Sequence, residues 1–373
     1  MILNRTKNIL ENIHKLGGEE MKKRFLSIVL AITTAVAVTA CSSTGGSTVE
    51  STTESNSESA GAGLDEKVYL TLSGGNSSTD SYAYWIAASK AMNAVEPNLE
   101  ITVVDATGGI DVQQRVRAGQ VDVGNGVSTI DYEGYTGTGN FEGDPDPELR
   151  LLWYYTYSPL NIMTSKKLGV KDVSDLTGLK IHPGGTGSAN AALAMAAVET
   201  LGAKPNWFEA GSQDGIDAFT SGQIDGAVRN GNAPDSQVLQ VVSAVDVDFL
   251  SFTDEQIETI KKAYPYAISI TVPAGSYDNQ DYDYQCIGSC QGGICTSALS
   301  QEAGYAMFDA MMSDKGREIW TSAYQKGADL DYPEFLLETA KIPIQSGVVQ
   351  WLVEHGYNVP DELIPEEYTP VNG

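Results

Sequence analysis

A short run of β-forming residues, a glycine-rich turn and a helical pattern recur in that order along the chain, and this alternation constrains the fold more than any other feature. Lys67–Ser73 (KVYLTLS) reads as a strand ending in Gly74-Gly75-Asn76-Ser77-Ser78, and Ser81–Val95 carries apolar residues at helical spacing. Leu99–Ala106 is a second strand, closed by Thr107-Gly108-Gly109, with a helix over Asp111–Ala118 and a third strand over Val121–Gly124. After the aromatic segment Leu149–Thr164 a second series begins: strand Leu179–His182, turn Pro183-Gly184-Gly185-Thr186-Gly187-Ser188, and helix Ala189–Leu201. Strands over Asn206–Ala210, Ile224–Arg229 and Val247–Phe252, with helices over Gly215–Ser221 and Asp254–Ala263, complete it. Strand, turn and helix in repetition predict α/β layers around a mainly parallel sheet. The helical tail (Gln301–Met312, Lys315–Lys326, Ile344–His355) has too little strand for a third domain and is expected to pack back on the first unit.

The N-terminus reads as an address. From Met21, a better start than Met1, three basic residues precede an apolar run Phe25–Ala40 that is short for a membrane span, the pattern of a secretory signal. Val38-Thr39-Ala40-Cys41 resembles a bacterial lipoprotein signal, so Cys41 is expected to carry lipid, and residues 41–63, rich in Ser, Thr, Gly and Glu, read as a flexible tether. Removing the six basic and three acidic residues of 1–40 leaves 17 basic against 46 acidic side chains, a net charge of −29. Such a surface repels phosphate backbones, which excludes nucleic acid as a partner.

There is no G-x-S-x-G, H-E-x-x-H or G-x-x-x-x-G-K-[ST] in the sequence, and no pattern asks for a metal or cofactor. Of three histidines, only His182 falls near a predicted loop, so a binding protein is expected rather than an enzyme. A turn that opens a helix instead offers free amides and the positive end of a dipole to an anion. The turns Ser73–Ser78 and Gly184–Ser188 are expected to face each other as such a clamp: Gly74, Gly75, Asn76, Ser77, Ser78, Gly184, Gly185, Thr186, Gly187 and Ser188, joined by Gly108 and Gly109. Arg229, with Asn230 at a strand end, is either an anchor for a carboxylate or a surface partner of Asp225 or Asp235; Tyr82 and Tyr157 either stack on a ligand or pack in the core. Cys286, Cys290 and Cys295 form a glycine-containing loop for which a disulfide is the expected state outside the membrane, with the pairing open. Tyr277–Tyr284 and Gly143–Glu148 read as surface insertions.

Several stretches together are similar to one family. Thr107-Gly108-Gly109 followed by Ala118-Gly119-Gln120-Val121-Asp122, then Val170–Gly178, Lys180–Ser188, Gly222–Ala227 and Ala263–Val272, resemble the TAXI-type solute receptors of tripartite ATP-independent periplasmic (TRAP) transporters. The resemblance implies a type II periplasmic binding protein, two α/β lobes joined by a hinge with the ligand cleft between them. The order of strands and helices along the chain is expected to put lobe I at residues 64–158 and 296–373 and lobe II at 159–295. The resemblance further implies a small anionic solute such as a glutamate-like amino acid or a dicarboxylate, TRAP-type permease subunits as partners, and an extracytoplasmic position anchored to the membrane through Cys41. The alternative is the receptor of an ATP-driven importer for a sulfonate or pyrimidine-like solute. The first turn reads Ser73-Gly74-Gly75-Asn76 where the family tends to G-T-G, and Arg229 and the cysteine segment lie outside its pattern.

Overall fold

The computed structural model describes residues 63–77 and 79–370; the signal segment, Cys41, most of the tether and Ser78 lie outside the described residues. The first unit runs β1 (Val68–Ser73), α1 (Asp80–Val95), β2 (Leu99–Val104), α2 (Gly109–Arg117), β3 (Val123–Val127) and α3 (Ser128–Thr136). β1 pairs in parallel with β2 over its whole length and with β3 at its end, the arrangement that βα units impose.

A single strand, β4 (Leu149–Ser165), then carries the chain onward. The second series follows as β5 (Lys180–His182), α4 (Ala189–Thr200), β6 (Asn206–Trp207), α5 (Ser212–Thr220), β7 (Gly226–Asn230), α6 (Ser236–Ala244), β8 (Val247–Phe249), α7 (Asp254–Ala263) and β9 (Ile268–Val272). The chain returns through β10 (Tyr284–Thr296) into α8 (Gln301–Met312), α9 (Asp314–Ala323), α10 (Tyr332–Thr339) and α11 (Ser346–Glu354). The strand order is β2-β1-β3-β10-β4-β7-β5-β6, with β8 against β4 and β9 against β10.

β4 and β10 hold the architecture together. Leu149–Pro159 of β4 run antiparallel to β10, while Leu160–Ser165 pair with β7 and β8. β10 makes the matching exchange, with 284–288 against β9 and 291–295 against β3. Both strands therefore change partners at one level. Two glycines of β10 permit the close crossing: a Cβ on Gly288 would lie 2.4 Å from the Ser158 carbonyl oxygen, and one on Gly292 only 2.0 Å from that of Trp153. The pairing is bulged beside Gly292, which turns the strand.

Two apolar clusters flank this crossing. One gathers Leu72, Trp85, Trp153, Phe308, Trp320 and Trp351, the other Leu160, Ile162, Leu176, Ile181, Leu193 and Ile260. The helical tail packs on the first unit as expected, with Trp320 and Tyr324 edge-on to Tyr84 at 6.2 and 5.3 Å between ring centroids.

Two sequence expectations are corrected. Cys286, Cys290 and Cys295 are not in a loop but on β10, and all three are free and buried. Positions four and five apart on one strand are separated by about 13 and 16 Å, while a disulfide needs Cα atoms within about 7 Å, so no two of them can join. Nor is Tyr277–Tyr284 a plain surface insertion. Tyr277 and Tyr284 are 4% and 0% exposed and stack on Phe249, because the rings bury while the intervening aspartates face water.

Candidate functional site

The second glycine turn leads into α4. Ser188 caps that helix, its Oγ accepting from the Ala191 amide at 3.1 Å, and Gly187 takes the left-handed conformation (φ 76°) that the turn requires. Thr186 is fixed by its amide and hydroxyl, both donating to the Ala210 carbonyl. The amides of Gly187, Ala189 and Asn190 donate to no protein group among the described residues.

Across a cleft of about 660 Å³ lies the start of α2. Gly108 and Gly109 line it, and the amides of Gly108, Gly109, Ile110 and Asp111 likewise have no protein acceptor among the described residues. Gly109 lets Ile130 close on the turn, since a Cβ there would lie 2.7 Å from Cδ1 at the end of that side chain. The Asp111 carboxylate takes the Thr107 amide at 2.8 Å and is gripped by Arg115 through Nε and Nη2 at 2.9 and 3.0 Å. The Thr107 amide first, and then Arg115, hold it below the usual carboxylate range. Its charge is thereby neutralised locally, and no lysine or arginine lines the cleft. Ile110, Val127, Ile130, Pro183 and Met195 form an apolar wall, and the exposed Glu209 sits at the rim. Seven free amides and two helix dipoles, together equivalent to about one positive charge, can hold an anionic group while the wall accepts an apolar body.

The structure thus pairs Thr186, Gly187 and Ser188 with Gly108 and Gly109, not with the first glycine turn. Gly74, Gly75, Asn76, Ser77 and Tyr82 line neither this cleft nor the recess below; a Cβ on Gly74 would lie 3.0 Å from the Tyr82 ring. Gly184 and Gly185 also stay behind the turn, against α4 and Ser212.

Tyr157, Arg229 and Asn230 meet elsewhere, in a small polar recess of about 140 Å³ at the strand crossing. Arg229 is already engaged, its Nε and Nη2 bonding the two Asp235 oxygens at 3.0 and 2.9 Å. Asp235 also caps α6 through the amides of Gln237 and Val238. The buried Asn161 fixes this corner, donating to the carbonyls of Arg229 and Gly231 at 3.0 Å each. His182 lines neither recess. It is 1% exposed, Nδ1 lies 3.0 Å from the Phe208 carbonyl, and burial lowers its pKa, so the imidazole is neutral.

Sequence reasoning passed over Asn190, Ile130, Met195 and Glu209 in the cleft, and Asp80, Asn232, Gln291 and Lys326 in the recess. Asn190 and Asp80, each in the first turn of its helix, were within reach of a helix-start argument. Gln291 and Lys326, from β10 and the tail, carried no local signal.

Among the described residues no helix is long and apolar enough to cross a membrane, and no group of three or more His, Cys, Asp or Glu side chains is placed to hold a metal ion. The structure is distantly similar to solved binding proteins. One is the periplasmic aliphatic sulphonate binding protein SsuA from Escherichia coli (15% identity, 82% of this chain and 86% of that one, TM-score 0.44). Another is a TctC solute binding protein from Polaromonas (15% identity, 72% and 91% covered, TM-score 0.47). A third is MatC from Rhodopseudomonas palustris with bound malate (13% identity, 69% and 89% covered, TM-score 0.41). The family is decided by the sequence itself: residues 72–356, most of the chain, match the profile of the NMT1-like family, and the chain belongs to it.

Proposed function

We propose that this protein is an extracytoplasmic solute receptor, not an enzyme, and that it holds a small organic anion in the cleft between the starts of α2 and α4. The observation that carries this reading is the set of free amides on both walls of a 660 Å³ cleft lined by no lysine or arginine. The lobes are residues 64–158 with 296–373, and 159–295, and they close about the crossing of β4 and β10, since neither wall alone surrounds a solute. The TAXI-like motifs favour a glutamate-like amino acid or a dicarboxylate handed to a TRAP-type secondary transporter, with Cys41 as the lipid anchor. A second reading, the receptor of an ATP-driven importer for a sulfonate, draws on the apolar wall of Ile110, Val127, Ile130 and Met195, which suits a single anionic head on an apolar body.

Native mass spectrometry of protein purified without denaturant, followed by a thermal-shift screen of carboxylates, dicarboxylates, sulfonates and amino acids, tests the proposal. A true solute at a hundredfold excess over Kd stabilises the fold by about 2.7 kcal/mol, a shift of several degrees. A screen in which no anion moves the melting temperature overturns the reading.

A further inference from the structure

The recess at the strand crossing stands apart from the α2–α4 cleft, with which it shares no lining residue. Its charges form two opposed pairs. Asp80, in the first turn of α1, pairs with Lys326, which follows α9, and Arg229 pairs with Asp235. The lining is therefore neutral in sum but carries both signs, so a simple anion or cation gains little there, while a dipolar ion can meet a partner at each end.

Two hydrogen-bonding groups in the recess are unused. Asn232 donates through Nδ2 to Thr156 Oγ1 at 3.0 Å, which orients the amide, yet its Oδ1 is buried with no donor. A buried acceptor in that state calls for an N–H or O–H. Arg229 spends Nε and Nη2 on Asp235, while Nη1 bonds no protein group among the described residues. The recess also opens sideways. Tyr157, Asn232 and Lys326 line a neighbouring cavity of about 440 Å³ as well, whose wall includes Pro159, Ile270, Val272, Pro273 and Leu330.

We propose that this recess is a second ligand site, for an α-amino acid with an apolar side chain. The ammonium group donates to Asn232 Oδ1 and lies by Asp80, the carboxylate takes Arg229 Nη1 and Lys326, and the side chain enters the adjoining apolar cavity. The site stands whether or not the α2–α4 cleft takes an organic anion.

The test is isothermal titration of the full chain with L-leucine, N,N,N-trimethyl-leucine, 4-methylpentanoate and 3-methylbutylamine, repeated on Asn232→Ala. Leucine binds, and trimethylation, which removes every N–H donor, weakens it about tenfold, the worth of one buried hydrogen bond. Asn232→Ala weakens leucine by a similar factor and leaves the affinity of 4-methylpentanoate, which has no ammonium group to donate to Asn232 Oδ1, unchanged. The proposal is overturned if leucine does not bind, if trimethyl-leucine binds equally well, or if Asn232→Ala leaves leucine affinity where it was. Should that variant fail to fold, the comparison of leucine with its trimethyl derivative on the native chain decides alone.

Discussion

Asp131 of α3 is a buried carboxylate without a partner among the described residues, and its replacement by a neutral isostere should stabilise this protein. It is 1% exposed, neither carboxylate oxygen meets the geometry of a hydrogen bond, and no cation pairs with it among the described residues. A Cβ on Gly126 would lie 2.5 Å from its Oδ2, so it is closely enclosed. Burial pushes the carboxyl well above its usual range, and the nearby Val127 amide offsets only part of that. In the unfolded chain Asp131 ionises near its ordinary value of about 3.9. Holding it protonated in the fold therefore costs about 1.4 kcal/mol for each pH unit above that value, for as long as the pH stays below the raised folded pKa. The sign is unambiguous: a raised acid pKa means that stability is full below the unfolded pKa and falls as pH rises towards the folded one. Asp131→Asn keeps the shape and removes the ionisation. Urea unfolding of both proteins at pH 5, 6 and 7 should show the variant gaining on the wild type as pH rises, by at most about 1.4 kcal/mol per pH unit. His182, which is buried neutral and loses stability as pH falls below about 6.5, is present in both proteins and cancels in the difference. A difference that stays constant across the three pH values refutes the argument.

Other consequences can be checked with less material. Asn190→Asp puts a negative charge on the first turn of α4 while still accepting from Ser289 Oγ, now 3.0 Å from Asn190 Oδ1; organic-anion affinity in the α2–α4 cleft should fall about tenfold or more without loss of melting temperature, and unchanged affinity refutes the placement of the anion. Gly292→Ala would set a Cβ 2.0 Å from the Trp153 carbonyl oxygen and should lower stability by about 1–3 kcal/mol in denaturant titrations; a neutral result would mean that the crossing tolerates wider spacing. Since the three thiols of β10 are buried and unpaired, with burial pushing that of Cys286 up to about 12, they should resist iodoacetamide until the protein is unfolded, and dithiothreitol should leave the melting temperature unmoved.

What could be read in advance was what depends on local spacing. The helix Asp254–Ala263 stands at its predicted limits because Thr253 and Gln256 close a capping box and the apolar residues keep helical period. β1, α1 and β2 fall within a residue or two for similar reasons. β10 was illegible because its sequence, with Gly288, Gly292 and Gly293 among small residues, has the composition of a loop; only the partner strands on both sides make it extended. α3 was missed for a like reason, since it starts directly after β3 without a capping side chain. The cleft was half legible: helix starts could be identified, but which two face each other depends on strand order, and β2, not β1, carries the turn opposite α4.

The crossing strands explain why two recesses occur in one fold. β10 offers Ser289, whose hydroxyl holds Asn190 at the mouth of the α2–α4 cleft, and two residues later Gln291, whose amide bonds Ser158 in the recess at 3.3 Å. β4 supplies Thr156, which orients Asn232, and Tyr157, which lines both the recess and the apolar cavity beside it. Residues two apart on a strand share a face, so Ser289 and Gln291 move together when the strand twists. Any change of the crossing angle that narrows the α2–α4 cleft must also shift Gln291 against Ser158. Occupancy of one site should therefore alter the affinity of the other by a factor that is the same whichever ligand is added first. A titration of leucine in the presence and absence of a saturating organic anion reads that factor, and a value of one would mean that the two strands cross as a rigid joint.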